Sequence, residues 1–567
     1  MNAPGTNILR DTASGPVPGD DELLFLPLGG TGEIGMNLNL YGHAGQWLMI
    51  DCGITFGNDT TPGVDIIMPN PSFIASRRDS LAGLVLTHAH EDHIGAVPYL
   101  WRRLQCPLYA TPFTAALLRR KLEDEGLAGS ARITEVAMSG RFSVGPFDLE
   151  LITLTHSIPE PNAVVLRTKV GTVLHTGDWK LDPDPRVGET ADVTALRRVG
   201  EEGVVAMIGD STNALVDGDS GSEGAVKESL MTLVGELGQR VVVACFASNV
   251  ARIQTIAEVA HAHGRAVGLV GRSMWRITET ARATGYLKDL PGFLSEEAAA
   301  RLPRDKVLLI CTGSQGEPRA ALSRIARDDH PHITLDKGDT VIFSSRIIPG
   351  NEVGIGQLQN QLALIGLDII TERDRFVHVS GHPARDDLVQ MYQWIKPQIA
   401  VPVHGETRHL IAHAELARAC QVPHTPVIAN GDILRLAPDG PEIVGQVKTG
   451  RLTREGTDLI ALNDDNIRDR ARMLWNGSVV LTIVVDGDGR LLHEPLLSAP
   501  GVIADSDADI DFEDDILDEI VGAVHALDDR DAHSDDAVTE AARRVIRRMI
   551  RDRRGKRPMI DIHLVRL

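Results

Sequence analysis

The stretch LTHAHEDHIG, residues 86–95, constrains this chain more than any other. His88, His90, Asp92 and His93 crowd into six positions at the end of an apolar run, GLVLT. Such a run reads as a buried strand, so the four side chains emerge where the chain leaves a sheet. His88 and His90 are two apart and point the same way in extended chain. Asp92 and His93 follow as the chain turns toward a helix, expected from Gly95 to Leu104. Neutral imidazoles and a carboxylate suit zinc or manganese. Four such groups exceed what one cation takes from one segment. The natural division is His88 and His90 on one metal, with Asp92 and His93 on a second. Solvated surface histidines are the plain alternative, and the abutting buried strand argues against it.

Two metals need further ligands, and the same local pattern recurs three times. LELITLTHS ends at His156, TVLHTGD at Asp178 and AVPVHGE at His404. A single strand-end histidine is as often structural as functional, but together these complete two coordination spheres. Asp178 can bridge, because a carboxylate has two oxygens. His175, just before the TGD turn, reads as packed or as supporting a ligand.

The length of 567 residues suggests about three domains. With 43% hydrophobic and 24% charged residues, the composition is that of an ordinary globular protein. No apolar run is long enough for a transmembrane helix, so no membrane association is expected. Residues 1–20 lack a basic-then-apolar signal pattern and read as a disordered lead-in. Cys52, Cys106, Cys245, Cys311 and Cys420 are scattered, with no CxxC pair. They are expected to be reduced, mostly buried thiols of a cytoplasmic protein. The net charge of −21 argues against a passive nucleic-acid binder without excluding a cationic cleft.

Along the chain, LLFLPLGG, MNLNLYG and QWLMIDCG read as three strands joined by glycine turns. Further strands are expected near 147–155, 163–169, 172–176 and 204–209. After a turn cluster at 217–224, helices alternate with strands near 241–247, 267–271, 306–313 and 339–345. That alternation predicts an inserted parallel α/β domain over 219–378. FVHVSGH (376–382) and IAVPVHGE (399–406) read as strand-then-loop segments. A polar connector is expected over 451–475, then a hairpin at 478–495, an acidic stretch at 505–519, a basic helix at 541–557 and a closing strand at 559–567. GTGEIG (30–35) fits a dinucleotide-binding fingerprint, with Asp51 about 20 residues on. The following MNLNLYG alternates with period two, however, so a hairpin turn is expected and no NAD or FAD site.

The motifs carry a resemblance. HAHEDH with His156, Asp178 and His404 resembles the metallo-β-lactamase superfamily. GDST (209–212), VSGH (379–382) and PVHGE (402–406) resemble the β-CASP nucleases. With CFASNVARIQ, LICTGSQGEP, FSSRIIPGNE and the tail, the chain is similar to the bacterial ribonuclease J family over about residues 21–567. The resemblance implies an α/β fold: a metallo-β-lactamase αββα sandwich (21–218 and 379–450), an inserted β-CASP α/β domain (219–378), a linker (451–475) and a small α/β C-terminal domain (476–567).

It also implies a site. One metal takes His88, His90 and His156; the other takes Asp92, His93 and His404; Asp178 bridges. Asp92, Asp210 and His382 form the catalytic group, with Asp210 supporting a ligand and His382 protonating the leaving oxygen or binding phosphate. Turn capping is the plain role for Asp210. The loop His378, Val379, Ser380, Gly381 and His382 is the implied substrate loop, able to cup a phosphate. Ser248, Asn249, Arg252, Ser314 and Gln315 lie at strand ends of the inserted domain, where open α/β sheets bind ligands. They are candidate nucleotide contacts, with helix capping as their plain role. Ser344, Ser345 and Arg346 are a third set. Asp51 is either structural or holds an extra cation. The basic run either touches RNA or pairs with acidic neighbours.

The implied activity is hydrolysis of single-stranded RNA, from the 5′ end with preference for a monophosphate and also internally, in mRNA decay and rRNA maturation. The implied cofactors are two divalent metal ions, zinc first, with manganese or magnesium as alternatives. The implied assembly is a homodimer or homotetramer through the C-terminal domain, with RNA-decay proteins as partners. Competing readings are a DNA nuclease of the same clan and a small-molecule hydrolase of the same fold, which would need no large insertion. A non-catalytic RNA scaffold would lack ligands, and all seven residue types stand in place.

Overall fold

A computed structural model describes residues 16–58, 60–504 and 507–567. Residues 1–15 of the expected lead-in, and residues 505–506 of the acidic stretch, lie outside the described residues. The end of the lead-in is anchored: Pro18 is buried, and the Pro18 and Gly19 carbonyls accept from Gly45 and Ala44. The chain divides into two units. The first is the chain up to Thr55 with Met68–Gly450, and the second is Phe56–Ile67 with Arg451–Leu567.

In the first unit two sheets stack face to face. The eight-stranded sheet runs Glu442–Gln446, Asp432–Ala437, Leu23–Gly29, Leu38–His43, Gln46–Ile50, Leu81–Val85, Leu108–Ala110, Ile133–Glu135. The six-stranded sheet runs Arg141–Val144, Phe147–Thr153, Asn162–Thr168, Gly171–His175, Ala206–Asp210, Ile399–Val403. Their facing side chains, among them Phe25, Tyr41, Ile50, Phe147, Leu166, Ile208 and Val401, form one core. Helices Val193–Glu202, Arg385–Ile395 and Thr407–Ala419 cover the outer face of the six-stranded sheet through Leu196, Leu388, Met391 and Leu416. This is the αββα sandwich. As expected, GTGEIG joins two adjacent antiparallel strands, and no helix follows it.

The inserted domain is a five-stranded, all-parallel sheet in the order Ala266–Val270, Val307–Cys311, Val241–Ala244, Thr340–Phe343, Asp368–Ile370. Its central strands, VVVA and VLLIC, are apolar throughout because both faces are covered. The strand expected to open the strand-then-loop segment 376–382 does not form. The Val377 carbonyl instead accepts from Arg252 Nη1 (3.0 Å) and Ser344 Oγ (2.7 Å), so side chains rather than a neighbouring strand take it.

In the second unit, Ser478–Val485 pairs antiparallel with Leu496–Ser498 and parallel with Met559–Arg566. Helices Asp507–His525 and Asp535–Arg554 pack there through Phe512, Ile516, Ile546 and Ile550. The basic helix pairs with its acidic neighbour: Arg548 donates to Glu519 (2.6 Å) and Arg554 pairs with Asp509. The expected connector is not plain coil. It holds a hairpin, Arg451–Glu455 with Asp458–Ala461, and most of the helix Asp465–Asn476. Residues 56–67, expected inside the first domain, join that hairpin's sheet, where Thr453 Oγ1 donates to the Ile66 carbonyl (2.8 Å). Cys52, Cys106, Cys245 and Cys311 are buried free thiols and Cys420 is partly buried. Among the described residues no helix is long and apolar enough to cross a membrane.

Candidate metal centre

The site forms where strand ends of the two sheets meet. Gly171–His175, Ala206–Asp210 and Ile399–Val403 are adjacent and parallel, so their carboxyl ends share one rim. Asp178, Asp210 and His404 all leave from that rim. From the other sheet, Leu81–Val85 ends just before His88, and His90 opens a single helical turn, Glu91–Ile94. The turn sets His88 and His90, which precede it, apart from Asp92 and His93 within it. It is clasped by the DCG segment: Cys52 N donates to the His93 carbonyl (2.7 Å) and Ile54 N to that of Glu91 (3.0 Å). A Cβ on Gly53 would lie 1.7 Å from Asp92 O, so only glycine fits that approach.

Two sets of ligand atoms converge. In the first, His88 Nε2 lies 3.1 Å from His90 Nδ1, which lies 3.0 Å from His156 Nε2, and Asp178 Oδ2 is 3.9 Å from His88 Nε2. In the second, Asp92 Oδ2 lies 3.2 Å from His404 Nε2 and 3.5 Å from His93 Nε2. Asp178 reaches that set as well, with Oδ2 3.1 Å from His93 Nε2 and Oδ1 2.9 Å from His404 Nδ1. A tetrahedral cation with bonds of about 2.1 Å has ligand edges of about 3.4 Å, so both sets have the right size. The donor chemistry fits too: Asp178 Oδ2 is buried and takes no hydrogen bond, an orphan that a cation would satisfy. A third grouping joins Asp178, Asp210, His382 and His404.

The electrostatics divide the imidazoles. Burial pushes His88 and His156 well below their ordinary value and His90 down to about 4, leaving neutral ligands. Burial pulls the same way on His93 and His404, but Asp178 and its neighbouring carboxylates outweigh it and hold both well above. Burial opposes ionisation of Asp178, yet His404, His93 and His382 keep it well below the usual carboxylate range. His93 and His404 would therefore surrender protons to a cation.

Supporting residues surround the ligands. Asp51 Oδ2 lies 2.7 Å from His93 Nδ1, and the carboxylate also accepts from Thr87 N and Thr87 Oγ1, each at 2.8 Å. Asp51 therefore orients His93, a role its sequence left open. Asp51→Asn is expected to weaken metal binding about 10–100-fold, read by chelator competition; unchanged affinity would contradict that role. His175 packs on Tyr41, whose hydroxyl lies 2.9 Å from its Nδ1. Asp210 Oδ2 holds His382 Nδ1 at 2.8 Å. Sequence reasoning missed the buried chain Ser211 Oγ–His413 Nδ1 (2.9 Å) and His413 Nε2–Tyr392 hydroxyl (2.7 Å), which braces the residue after Asp210. No local signal marks it.

The expected substrate loop lies against the ligands: Gly381 O accepts from His156 Nδ1 at 2.5 Å. Asn213 Nδ2 donates to Ser380 Oγ (2.7 Å) and to the His382 carbonyl (3.1 Å). His378 is 3.4 Å from Arg252 Nη1, and Val379 is buried. Of the candidate nucleotide contacts, several are committed elsewhere. Asn249 caps the helix Val250–Ala262 through the Arg252 N–H. Arg252 is fully buried and grips both oxygens of Glu223 (3.1 and 2.9 Å), the Ser344 oxygens and Val377 O. Gln315 accepts from Ile348 N (2.9 Å) and donates to Arg346 O (2.8 Å), bracing that loop. Ser314 is buried, and Ser248 is partly exposed.

A metallo-β-lactamase sandwich, an inserted parallel α/β domain and converging His/Asp sets define a metal-dependent hydrolase of the β-CASP type. Family models agree: "Metallo-beta-lactamase superfamily" matches residues 35–222, "Ribonuclease J, beta-CASP domain" 238–362, "Zn-dependent metallo-hydrolase RNA specificity domain" 366–424 and "Ribonuclease J C-terminal domain" 466–567. The chain is 44% identical over 552 residues to Ribonuclease J of Sinorhizobium meliloti, covering 97% of this chain and 98% of the relative. It is 39% identical over 538 residues to Ribonuclease J of Mycolicibacterium smegmatis, covering 94% and 95%. The chain belongs to the ribonuclease J family of metal-dependent ribonucleases. A crystal structure of a protein of unknown function from Enterococcus faecalis V583 shares the fold alone, at TM-score 0.51 and 15% identity over 73% of this chain and all of that one.

Proposed function

We propose that this chain hydrolyses single-stranded RNA from the 5′ end, preferring a monophosphate there, and also cuts internally, in mRNA decay and rRNA maturation. The observation that supports it most is the convergence of His88, His90 and His156 on one side of Asp178 and of Asp92, His93 and His404 on the other. Three imidazoles in one set favour zinc, with manganese or magnesium as alternatives. When bound, the two cations supply an activated water and neutralise charge on the phosphoryl oxygens.

The chain's own groups do the rest. Asp178 holds the two ligand sets together. Asp92 closes the second set and, at 28% exposed, is more open than His93 and His404. Burial works against a proton on His382, but the Asp210 and Asp178 carboxylates hold its proton affinity above the ordinary value. Asp210 fixes Nδ1, so the other ring nitrogen of His382 can deliver a proton to the leaving 3′ oxygen. Products carry a 5′ phosphate and a 3′ hydroxyl. Ser380, Gly381 and His378 are the proposed phosphate contacts. Arg252, Asn249 and Gln315 act by holding the surrounding loops. The proposed setting is the cytoplasm, as a homodimer or homotetramer through the C-terminal domain, with RNA-decay proteins as partners; exposed Leu496 in that domain, with Leu474 and Trp475 just before it, supports an assembly surface.

One RNA prepared with 5′-monophosphate, 5′-triphosphate or 5′-hydroxyl ends, beside DNA of the same sequence, tests this. The expected result is release of 5′ mononucleotides, fastest from monophosphate RNA and absent in His88→Ala. Intact RNA with DNA or a small ester hydrolysed instead would overturn the substrate assignment.

A further inference from the structure

The inserted domain touches the sandwich at a seam remote in sequence from its two chain connections. Helix Pro112–Asp124 meets helix Arg272–Ala283 there: Arg120 pairs with Glu279 (3.0 Å) and Asp124 with Arg276 (3.0 Å). All four side chains are well exposed, so these ion pairs hold the seam weakly. A second, part-buried connection crosses the same seam. Glu160, 6% exposed, accepts from the Tyr286 hydroxyl of the inserted domain at 3.0 Å and from Phe113 N of the sandwich at 2.8 Å. Its own carbonyl accepts from Asn162 Nδ2 at 2.6 Å. Glu160 sits at φ +60, a conformation that a non-glycine residue keeps only when its surroundings hold it.

The loop that Glu160 anchors begins at His156. Its next residue also meets the inserted domain, where Ala251 N donates to Ser157 O at 3.4 Å. Ser157 Oγ lies 3.4 Å from His90 Nε2. His156 is thus held by the Gly381 carbonyl on one side and by a loop strapped across the seam on the other.

We propose that Glu160 is a positioning residue. Through Tyr286 it makes the seating of the inserted domain set where His156 Nε2 stands relative to His88 and His90. The inference rests on the two-cation reading above. It assigns the short 156–161 loop a task that the ligand set alone does not require: coupling closure of the inserted domain to completion of the first cation position.

The test uses the full-length protein and the variants Glu160→Gln and Tyr286→Phe. Zinc dissociation constants are measured by competition with a chelating dye, together with kcat on the small diester bis(4-nitrophenyl) phosphate and melting of the chelated proteins. Glu160→Gln is expected to weaken the more loosely held zinc about tenfold, with Tyr286→Phe moving the same way by a smaller factor and kcat falling in step. Wild-type zinc constants and kcat in both variants, with only melting lowered, would overturn the proposal in favour of a plain structural brace. Should Glu160→Gln fail to fold, Tyr286→Phe loses one hydroxyl only and decides alone. A wild-type protein that binds no zinc pair would instead defeat the two-cation reading.

Discussion

Asp178→Ala is expected to strip the protein of its metals and lower RNA hydrolysis by on the order of 10³-fold or more. Asp178 is the one residue common to all three ligand groupings among the described residues. Its carboxylate reaches both sets: Oδ1 is 2.9 Å from His404 and Oδ2 3.1 Å from His93 in the second, and Oδ2 is 3.9 Å from His88 in the first. Removing it deletes a ligand from both cation positions and the central negative charge that offsets two dications. The remaining imidazoles would then crowd cations with less compensation in a site that excludes most water. Metal content by elemental analysis and hydrolysis of monophosphate RNA are read on the same preparation. A metal-replete Asp178→Ala protein cleaving at near wild-type rate would sink the assignment.

Arg252→Ala is expected to destabilise the first unit by about 3–5 kcal/mol, because it leaves Glu223 charged and buried without its partner. Both side chains are almost wholly buried, at 0% and 3% exposure. The guanidinium also ties three separate segments together, through Glu223, Ser344 and Val377. Replacing both charges, as in Glu223→Leu with Arg252→Met, should recover much of the loss, because neither partner is then left unpaired. Denaturant titration of the metal-bound proteins checks both. If Arg252 instead binds the RNA phosphate, Arg252→Ala will fold normally and lose its preference for monophosphate ends.

The Arg252 case shows where sequence reading stops. In SNVAR the arginine sits at a strand end of an α/β domain, where a phosphate contact is a sound expectation. Its partner Glu223 lies in what reads as a linker-like turn cluster. Nothing local joins residues 29 positions apart, and only folding brings both carboxylate oxygens onto one guanidinium. Asn249 and Gln315 follow the same rule. Their residue types permit either capping or ligand contact, and the neighbours that packing supplies decide between them. The short strand expected to open the strand-then-loop segment 376–382 fails for a related reason: its apolar start satisfies the pattern, but among the described residues no strand pairs with it.

By itself the sequence determined the layer types and the crowding of His and Asp at strand ends. HAHEDH after GLVLT, the strand-end histidines and aspartate, and the βα alternation after residue 219 are local facts of residue type and spacing. Strand periodicity and imidazole coordination act over a few residues. Only the tertiary structure decided which polar groups are free for chemistry. Asp51 was drawn to His93, Gly381 to His156 and Glu160 to Tyr286 by contacts spanning 42, 225 and 126 positions. A buried donor or acceptor must find a partner wherever the packed chain offers one, and sequence spacing carries no record of that choice.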